Sequence, residues 1–271
     1  MPDQYAVVGN PVAHSKSPQI HAEFARLTGQ DLTYERLLAP TAGFRATVDA
    51  FRARGGLGVN ATLPFKGDAF RYATRLSARA REARAVNTLK FEGDAIFGDN
   101  TDGAGLVNDI IRNLGRTIPG RRVLLLGAGG AARGVIRPLL EQQPECLVLA
   151  NRTISKALGL AQDFASGVEA CTYAALAQRH FDLVINATSA SLAGALPPLP
   201  PGVFAQGALA YDMMYGMGDT PFLAYARAEG VSALADGMGM LVEQAAESFL
   251  IWRELRPDTA PVLKLLRQTA A

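Results

Sequence analysis

Residues 121–132 read RRVLLLGAGGAA, and this stretch decides the fold of the second half of the chain. The unbroken apolar run predicts a strand that is covered on both faces, as the parallel strands of α/β proteins are. Gly127, Gly129 and Ala132 then match the G-x-G-x-x-G/A pattern of a dinucleotide site, which opens a helix whose free N–H groups bind phosphates. Pro138 is expected to kink that helix or end it early. The predicted phosphate-binding turn consists of Gly127, Ala128, Gly129, Gly130 and Ala131.

Strands and helices alternate on both sides of this turn. Residues 5–62 follow the order strand, helix, strand, helix, strand, which predicts a mostly parallel sheet with right-handed crossovers. After the turn, apolar runs near 146–150, 182–186, 209–212 and 231–235 continue the alternation. The fold class is therefore α/β, with two α/β domains, the second of the Rossmann type.

Composition narrows the classes of protein that the chain can belong to. Its 271 residues can form two domains with cores, and 49% hydrophobic with 19% charged residues is typical of a globular protein. A net charge of +2 gives no support for a nucleic-acid or membrane partner, and no apolar run approaches the roughly 20 residues of a membrane span. Cys146 and Cys171 lack CxxC spacing, which indicates a reduced, cytoplasmic protein. The histidines lack metal-ligand spacing, so no metal site is expected.

The end of the second strand of the nucleotide motif indicates which cofactor binds. NAD-binding proteins usually carry an acidic residue there, about 20 residues after the glycines, for the ribose 2′-hydroxyl. Here the strand at 146–150 is followed by Asn151, Arg152 and Thr153, with Lys156 one turn later. Each charge-assisted hydrogen bond to a 2′-phosphate contributes about 1.5–3 kcal/mol. These residues therefore predict NADP as the cofactor.

Two residues are candidates for proton transfer. Moving a hydride to or from an alcohol carbon requires that a proton move at the oxygen. Lys66 follows a strand end, where open α/β sheets bind ligands, and Asp102 lies at the expected domain junction. Taken alone, Lys66 is better explained as a surface lysine, and Asp102 is equally well explained as a helix cap. Spacing and composition leave these alternatives open.

A series of motifs, in order and spread over nearly the whole chain, resembles the shikimate dehydrogenase family. These motifs occupy residues 9–18, 60–66, 85–89, 98–103, 151–153, 186–189, 212–215 and 236–246. The resemblance implies NADPH-dependent, reversible reduction of 3-dehydroshikimate to shikimate, a step in chorismate and aromatic amino-acid biosynthesis. It also implies that Lys66 and Asp102 form the catalytic pair.

The resemblance extends to binding residues. It implies that the small-molecule substrate is bound by Ser15, Ser17, Thr62, Asn87, Asp102, Tyr215 and Gln244. Ser15 and Ser17 would hold the substrate carboxylate, although Ser17, followed by proline, also has the pattern of a helix N-cap. Beside the glycine turn, it implies cofactor contacts from Thr188, Met213 and Gly237.

The expected domain boundaries follow from these motifs. Residues 1–102 and 237–271 would form a substrate-binding and catalytic domain, to which the C-terminal helices return, and 103–236 the NADP-binding domain. A cytoplasmic monomer or homodimer is expected.

Three positions depart from the family pattern. Arg84 replaces a common glycine, Ala78 a common acidic residue and Ser191 another glycine. Two other functions remain open: a relative that also acts on quinate, possibly with NAD, and a non-catalytic NADPH-binding protein that kept the fold. The second would need neither Lys66 nor Asp102.

Overall fold

The computed structural model describes residues 1–164, 167–188, 195–216 and 218–270, so Ser191 and the last residue of the 186–189 motif lie outside it. The chain divides into two compact units. The first consists of Met1–Gly105 and Val242–Leu266, and the second of Leu106–Leu241 and the chain end from Arg267.

The elements before residue 114 alternate between strand and helix up to residue 83, after which two consecutive strands form a hairpin. They are β1 (Asp3–Gly9), α1 (Ser17–Thr28), β2 (Leu32–Leu38), α2 (Phe44–Ala53), β3 (Gly56–Ala61), α3 (Lys66–Tyr72), β4 (Arg75–Leu76), α4 (Ala78–Ala83), β5 (Thr88–Glu92), β6 (Ala95–Asp99) and α5 (Asp102–Asn108), which continues as a π-helical turn at Asp109–Asn113.

The elements from residue 122 onward complete the chain. They are β7 (Arg122–Leu126), α6 (Gly130–Glu141), β8 (Cys146–Ala150), α7 (Ile154–Gln162), β9 (Glu169–Cys171), a 3₁₀ turn at Tyr173–Leu176, β10 (Phe181–Asn186), β11 (Phe204–Asp212), α8 (Pro221–Ala228), β12 (Ala233–Ala235), α9 (Met238–Arg253) and α10 (Ala260–Ala270). Pro138 lies inside α6, which runs on to Glu141, so the expected early end of this helix is wrong.

The first unit is built on a six-stranded mixed sheet in the order β2-β1-β3-β5-β6-β4. β1 pairs in parallel with β2 and β3, whereas β5 is antiparallel to both β3 and β6. Apolar residues of α2 pack on one face of the sheet with Ala6 and Val8. Trp252 of α9 stacks on Tyr5 at 4.6 Å between ring centroids, and its Nε1 donates to the Leu89 carbonyl at 2.9 Å. The part of α9 from Val242 onward is thus an integral part of this unit.

The second unit is a doubly wound, wholly parallel sheet in the order β12-β11-β10-β7-β8-β9. Val123 and Leu125 belong to the core on one face of β7, and Leu124 and Leu126 to the core on the other. This explains the unbroken apolar run in the sequence. The chain reverses its strand order between β7 and β10, and such a switch point opens a crevice at the carboxyl ends of the strands. The glycine turn lies at this edge.

Candidate active site

Lys66 and Asp102 are brought together by the strand directions of the first sheet. Because β5 runs opposite to both β3 and β6, the carboxyl ends of β3 and β6 lie at the same edge. Lys66 opens α3 after β3, and Asp102 opens α5 after β6. Lys66 Nζ lies 2.6 Å from Asp102 Oδ2, with side-chain exposures of 35% and 14%. The ammonium group therefore forms an ion pair that remains accessible to a ligand.

Two amides complete what we call the Lys66 cluster, comprising Lys66, Asn87, Asp102 and Gln244. Asn87 Nδ2 donates to Asp102 Oδ1 at 2.8 Å and to Gln244 Oε1 at 3.2 Å. Asp102 therefore has a hydrogen bond on each carboxylate oxygen, and its backbone N–H donates to Asn100 Oδ1 at 3.1 Å. This arrangement fixes the carboxylate and, through it, the ammonium group.

An ion pair between the partly exposed Arg79 and the buried Asp99 holds the strand end that leads to Asp102. Asp99 accepts hydrogen bonds from Arg79 at 2.8 and 2.7 Å, from Ser77 Oγ at 2.5 Å and from the Asn100 N–H at 2.7 Å. Burial acts to raise the pKa of Asp99, but the Arg79 hydrogen bonds and charge outweigh it, so this pKa lies below its usual value. No local sequence pattern indicates this role for Arg79, because its partner is 20 residues away on another element.

Ser15 and Ser17 lie together between β1 and α1. Ser15 Oγ donates to Ser17 Oγ at 3.2 Å, and it accepts from the Ser17 N–H at 3.3 Å. The Arg36 guanidinium donates to the Ser15 carbonyl at 2.6 and 3.1 Å and so fixes this loop. Ser17 is the first residue of α1 and Lys16 is the N-cap, with no side-chain capping bond, so the N-cap prediction for Ser17 is wrong.

The two remaining predicted substrate residues are placed differently. Thr62 follows β3, and its N–H donates to the Val8 carbonyl at 3.0 Å. A Cβ atom at position 9 would lie 2.5 Å from Thr62 Cγ2, so only glycine fits at position 9. Tyr215 belongs to the second unit, where it follows β11, and burial together with Asp236 raises the pKa of its phenol. The first unit therefore contains every predicted substrate residue except Tyr215.

The glycine turn has the geometry that a pyrophosphate needs. Gly127 has φ of +102°, and a Cβ there would lie 3.0 Å from Thr188 Cγ2, so glycine is required and Thr188 adjoins the turn. Gly129 is the N-cap of α6 and provides no side-chain cap. Space around the Cα atoms of Gly129 and Gly130 is open, and both residues are exposed. The first N–H groups of α6 can thus bind phosphate oxygens.

The end of β8 carries the donors expected for a 2′-phosphate. Arg152 and Lys156 are exposed, and Asn151 Nδ2 donates to the Thr153 carbonyl at 2.9 Å, which shapes the turn. Residues 150–156 contain no carboxylate. Two cations without a competing anion fit NADP better than NAD.

Met213 and Gly237 also lie side by side at the carboxyl edge of the second sheet. A Cβ at Gly237 would collide with the Met213 carbonyl, and the Gly237 N–H donates to the Met214 carbonyl at 3.0 Å. Thr188 donates through both its N–H and Oγ1 to Asn186 Oδ1, at 3.1 and 2.7 Å. Short-range bonds therefore fix Thr188, just after β10, and join Gly237 to Met214, just after β11.

Other kinds of site find little support. Cys146 and Cys171 are free thiols. Across the described residues, no group of three or more His, Cys, Asp or Glu side chains could hold a metal ion. Within the same residues, no helix has the length and apolar character that crossing a membrane requires.

Comparison with known proteins gives consistent matches along the chain. The family described as shikimate dehydrogenase substrate binding domain matches residues 7–89, shikimate / quinate 5-dehydrogenase matches 109–193, and the shikimate 5′-dehydrogenase C-terminal domain matches 237–267. The shikimate dehydrogenase (NADP(+)) of Aromatoleum aromaticum is 62% identical over 271 residues, which cover 98% of this chain and 97% of the relative.

Solved structures agree with the sequence relatives. An Ael1 enzyme from Pseudomonas putida matches with a TM-score of 0.94 at 52% identity, covering 97% of this chain and 98% of that one. The shikimate 5-dehydrogenase of Thermus thermophilus, in complex with NADP(H) and shikimate, matches with a TM-score of 0.87 at 34% identity, covering 98% and 99%. Together with the glycine turn and the Lys66 cluster, these similarities establish that the chain belongs to the shikimate dehydrogenase family.

Proposed function

We propose that the chain catalyses the reversible, NADPH-dependent reduction of 3-dehydroshikimate to shikimate. The observation that carries this proposal is the Lys66–Asp102 ion pair at the edge of the first sheet. Lys66 bonds to one oxygen of the Asp102 carboxylate, and Asn87 bonds to the other. Membership in a family whose relatives are named shikimate dehydrogenase (NADP(+)) supports the same reaction. The step would serve chorismate and aromatic amino-acid biosynthesis.

Lys66 is the proton donor in this mechanism. When bound, NADPH supplies the hydride to the carbonyl carbon of the substrate ring. The Lys66 ammonium group donates its proton to the carbonyl oxygen, and the resulting amine regains a proton from solvent. Asp102 orients the ammonium group through their 2.6 Å bond. In the reverse reaction the same Lys66 nitrogen accepts the proton of the substrate hydroxyl.

The remaining polar residues bind and orient the substrate. The hydroxyls of Ser15 and Ser17 would donate to its carboxylate, in a loop that Arg36 fixes. Amides of Asn87 and Gln244 would bind its ring hydroxyls, and we assign Thr62 and Tyr215 to the same substrate. The Thermus thermophilus relative was solved with NADP(H) and shikimate, which supports a site for both molecules.

The cofactor site is proposed on the second unit. Gly127, Ala128, Gly129, Gly130 and Ala131 would bind the pyrophosphate, and Asn151, Arg152, Thr153 and Lys156 the 2′-phosphate side. Thr188, Met213 and Gly237 would line the same site. The first unit, with its C-terminal helices, would then be the substrate domain and the second the NADP domain.

A spectrophotometric assay tests the proposal. NADPH loss at 340 nm is measured with 3-dehydroshikimate, for the wild-type protein and for Lys66→Met, which keeps a long side chain but loses the charge. Removal of the proton donor should lower kcat about 10²- to 10⁴-fold. Lys264→Met, which changes an exposed lysine on α10, is the matched control and should leave kcat unchanged. Wild-type protein that does not consume NADPH, or Lys66→Met at full activity, would contradict the proposal.

Parallel assays separate the alternatives. Quinate with NAD⁺ tests the broader specificity that the shikimate / quinate description allows. We expect NADP⁺ with shikimate to give the higher kcat/KM, because the end of β8 provides cations. We further propose a cytoplasmic location, which the free thiols favour, and a monomer or homodimer, which sedimentation measurements would distinguish.

A further inference from the structure

Thr88 is a fully buried threonine next to Asn87, at the start of β5. We propose that Thr88 is a positioning residue, whose hydroxyl orients the Asn87 amide and thereby holds Asp102 in place for proton transfer. This inference rests on the proposed function. It concerns a side chain that is one hydrogen bond away from the Lys66 cluster.

The orientation of the Asn87 amide follows from its partners. The Thr101 backbone N–H can only donate, and it lies 2.9 Å from Asn87 Oδ1. The oxygen of the amide must therefore face Thr101. Nδ2 is then directed at Asp102 Oδ1, at 2.8 Å. If this amide turned over, it would present an oxygen to the carboxylate and lose both bonds.

The Thr88 hydroxyl reinforces this orientation. Its Oγ1 lies 2.9 Å from Asn87 Oδ1, 3.1 Å from Asn60 Nδ2 and 2.7 Å from Ser248 Oγ. Asn60 Nδ2 is a donor only, so Thr88 accepts from it. The Asn87 oxygen can only accept, so Thr88 donates its proton to that oxygen. The bond between the Thr88 and Ser248 hydroxyls then uses the proton of Ser248.

Asn60 is itself fixed and cannot take over the role of Thr88. Its Nδ2 donates to the Asn87 backbone carbonyl at 3.0 Å, and its Oδ1 accepts from the Tyr34 hydroxyl at 2.7 Å. Ser248 is fully buried on α9; it accepts from Asn60 Nδ2 at 3.0 Å, and its single proton is used in the bond to Thr88. In this arrangement Ser248 donates to Thr88, Thr88 to Asn87 and Asn87 to Asp102, so the chain of bonds ends at Asp102.

Three substitutions at this position test the proposal. Thr88→Val keeps the shape and removes the hydroxyl, whereas Thr88→Ser and Thr88→Ala both lose the methyl group and differ only in the hydroxyl. We expect kcat for 3-dehydroshikimate reduction to fall about tenfold or more in the Thr88→Val and Thr88→Ala variants. In Thr88→Ser it should stay within about threefold of the wild-type value. KM for NADPH should be unchanged in all three.

The solvent deuterium isotope effect on kcat gives a second measurement, which a change in packing alone would leave unaltered. It should increase in Thr88→Val and Thr88→Ala, because proton transfer becomes slower, and remain at the wild-type value in Thr88→Ser. Thr74→Val is the matched control: it removes a hydroxyl that accepts from the Ile96 N–H at 2.8 Å in the same unit, and should leave kcat and the isotope effect unchanged.

The outcomes distinguish this inference from the proposed function. Wild-type protein that fails to reduce 3-dehydroshikimate overturns both. An active wild-type protein with Thr88→Ala as fast as Thr88→Ser overturns the positioning role alone. If Thr88→Val does not fold, the comparison of the Ser and Ala variants decides the question, because these two differ by one oxygen atom.

Discussion

His21, on α1, is a histidine enclosed by aromatic rings. Its residue exposure is 1%, and its ring stacks on that of Tyr34 at 4.3 Å with an interplanar angle of 4°. Neither ring nitrogen has a hydrogen-bond partner within the described parts of the chain. Burial lowers the pKa of His21 from 6.5 to about 3, and the neighbouring Asn60 side chain opposes this only in part. The imidazole is therefore neutral in the folded protein.

This neutrality predicts acid sensitivity that one substitution should remove. Below pH 6.5 the unfolded state binds a proton at His21, whereas the folded state does so only near pH 3. The free energy of unfolding should therefore fall with decreasing pH across this window, by up to about 1.4 kcal/mol per pH unit. His21→Phe should flatten the dependence, as measured by urea unfolding monitored by circular dichroism between about pH 4.5 and 7.

The control for this prediction is the exposed His180. His180→Gln should keep the wild-type slope. An unchanged slope in His21→Phe would show that this buried imidazole is not the source of the acid sensitivity.

Substitution of Arg152 tests the preference for NADPH over NADH. Because its guanidinium would bind the 2′-phosphate, Arg152→Ala should weaken NADPH binding about ten- to a hundredfold, the equivalent of one charge-assisted bond. NADH lacks that phosphate, so its affinity should change little. Fluorescence titration of both cofactors measures the difference.

Arg112, another exposed arginine of the second unit, provides the comparison. Arg112→Ala should leave the affinities for both cofactors as they are. Equal losses of NADPH and NADH affinity in Arg152→Ala would argue against a 2′-phosphate contact.

Two residues show where sequence and structure differ at this scale. The family glycine that Arg84 replaces is explained by backbone geometry, because Arg84 has φ of +51°, a conformation that glycine adopts without steric cost. Ala78, the other described departure, is the first residue of α4. Such local conformations depend on the surrounding loop and are not readable from residue type alone.

At the scale of the element, the start of α9 is defined by a glycine. A Cβ at Gly239 would collide with the Asp109 carboxylate, which is buried and accepts a hydrogen bond from the Tyr211 hydroxyl at 2.6 Å. The close approach of the helix to this carboxylate requires the absence of a side chain. Gly159 on α7 is the opposite case, because a Cβ there would meet no atom within 4 Å.

These two glycines make a matched pair of substitutions. Gly239→Ala should destabilise the protein by about 1–3 kcal/mol or more, because a buried carboxylate must move. Gly159→Ala should be neutral or stabilise by up to about 1 kcal/mol, because alanine favours helix. Thermal unfolding of both variants gives the comparison, and equal melting temperatures would refute the assigned clash.

The elements also show how much could be predicted from the sequence. The two-domain α/β fold is confirmed, because unbroken apolar runs and the glycine turn are local signals that can be read from the residues themselves. The three-residue β9 was missed, since it is too short for a periodic pattern. Family motifs identified Lys66 and Asp102. The contact of Arg79 with Asp99 depends on β4 lying beside β6, and the proposed role of Thr88 depends on β3 lying beside β5; both pairings join segments that are distant in sequence.

At the scale of the whole molecule, the first unit is assembled from two distant segments of chain. Val242–Leu266 joins residues from before Gly105. This segment contributes Trp252, which stacks on Tyr5, and Phe249, whose ring lies 5.8 Å from that of Phe24. It also contributes Arg256, which bonds to Glu247 and, at 2.6 Å, to the buried Glu243. The core of the first unit is incomplete without it.

Truncation should therefore affect the two units unequally. A chain that ends at Leu241 is expected to lose amide protection throughout β1, β3 and β5, because their aromatic cover is gone. The central strands β7 and β10 should stay protected. Hydrogen exchange followed by mass spectrometry measures both sets of peptides.

A chain ending at Leu266 is the control and should keep the protection of β1. If β1 remains as protected in the shorter chain as in the full one, the C-terminal segment is not needed for the first core.

Helix α9 contains Gly239 near its start and Gln244 and Ser248 further along, so one continuous helix serves both units. Each residue added to an α-helix turns everything after it by about 100°. One inserted or deleted codon between positions 244 and 248 would thus turn the Ser248 hydroxyl away from Thr88 while the Gln244 amide keeps its contact with Asn87. We therefore expect a change of length in this segment to be tolerated less well than an insertion in a surface loop.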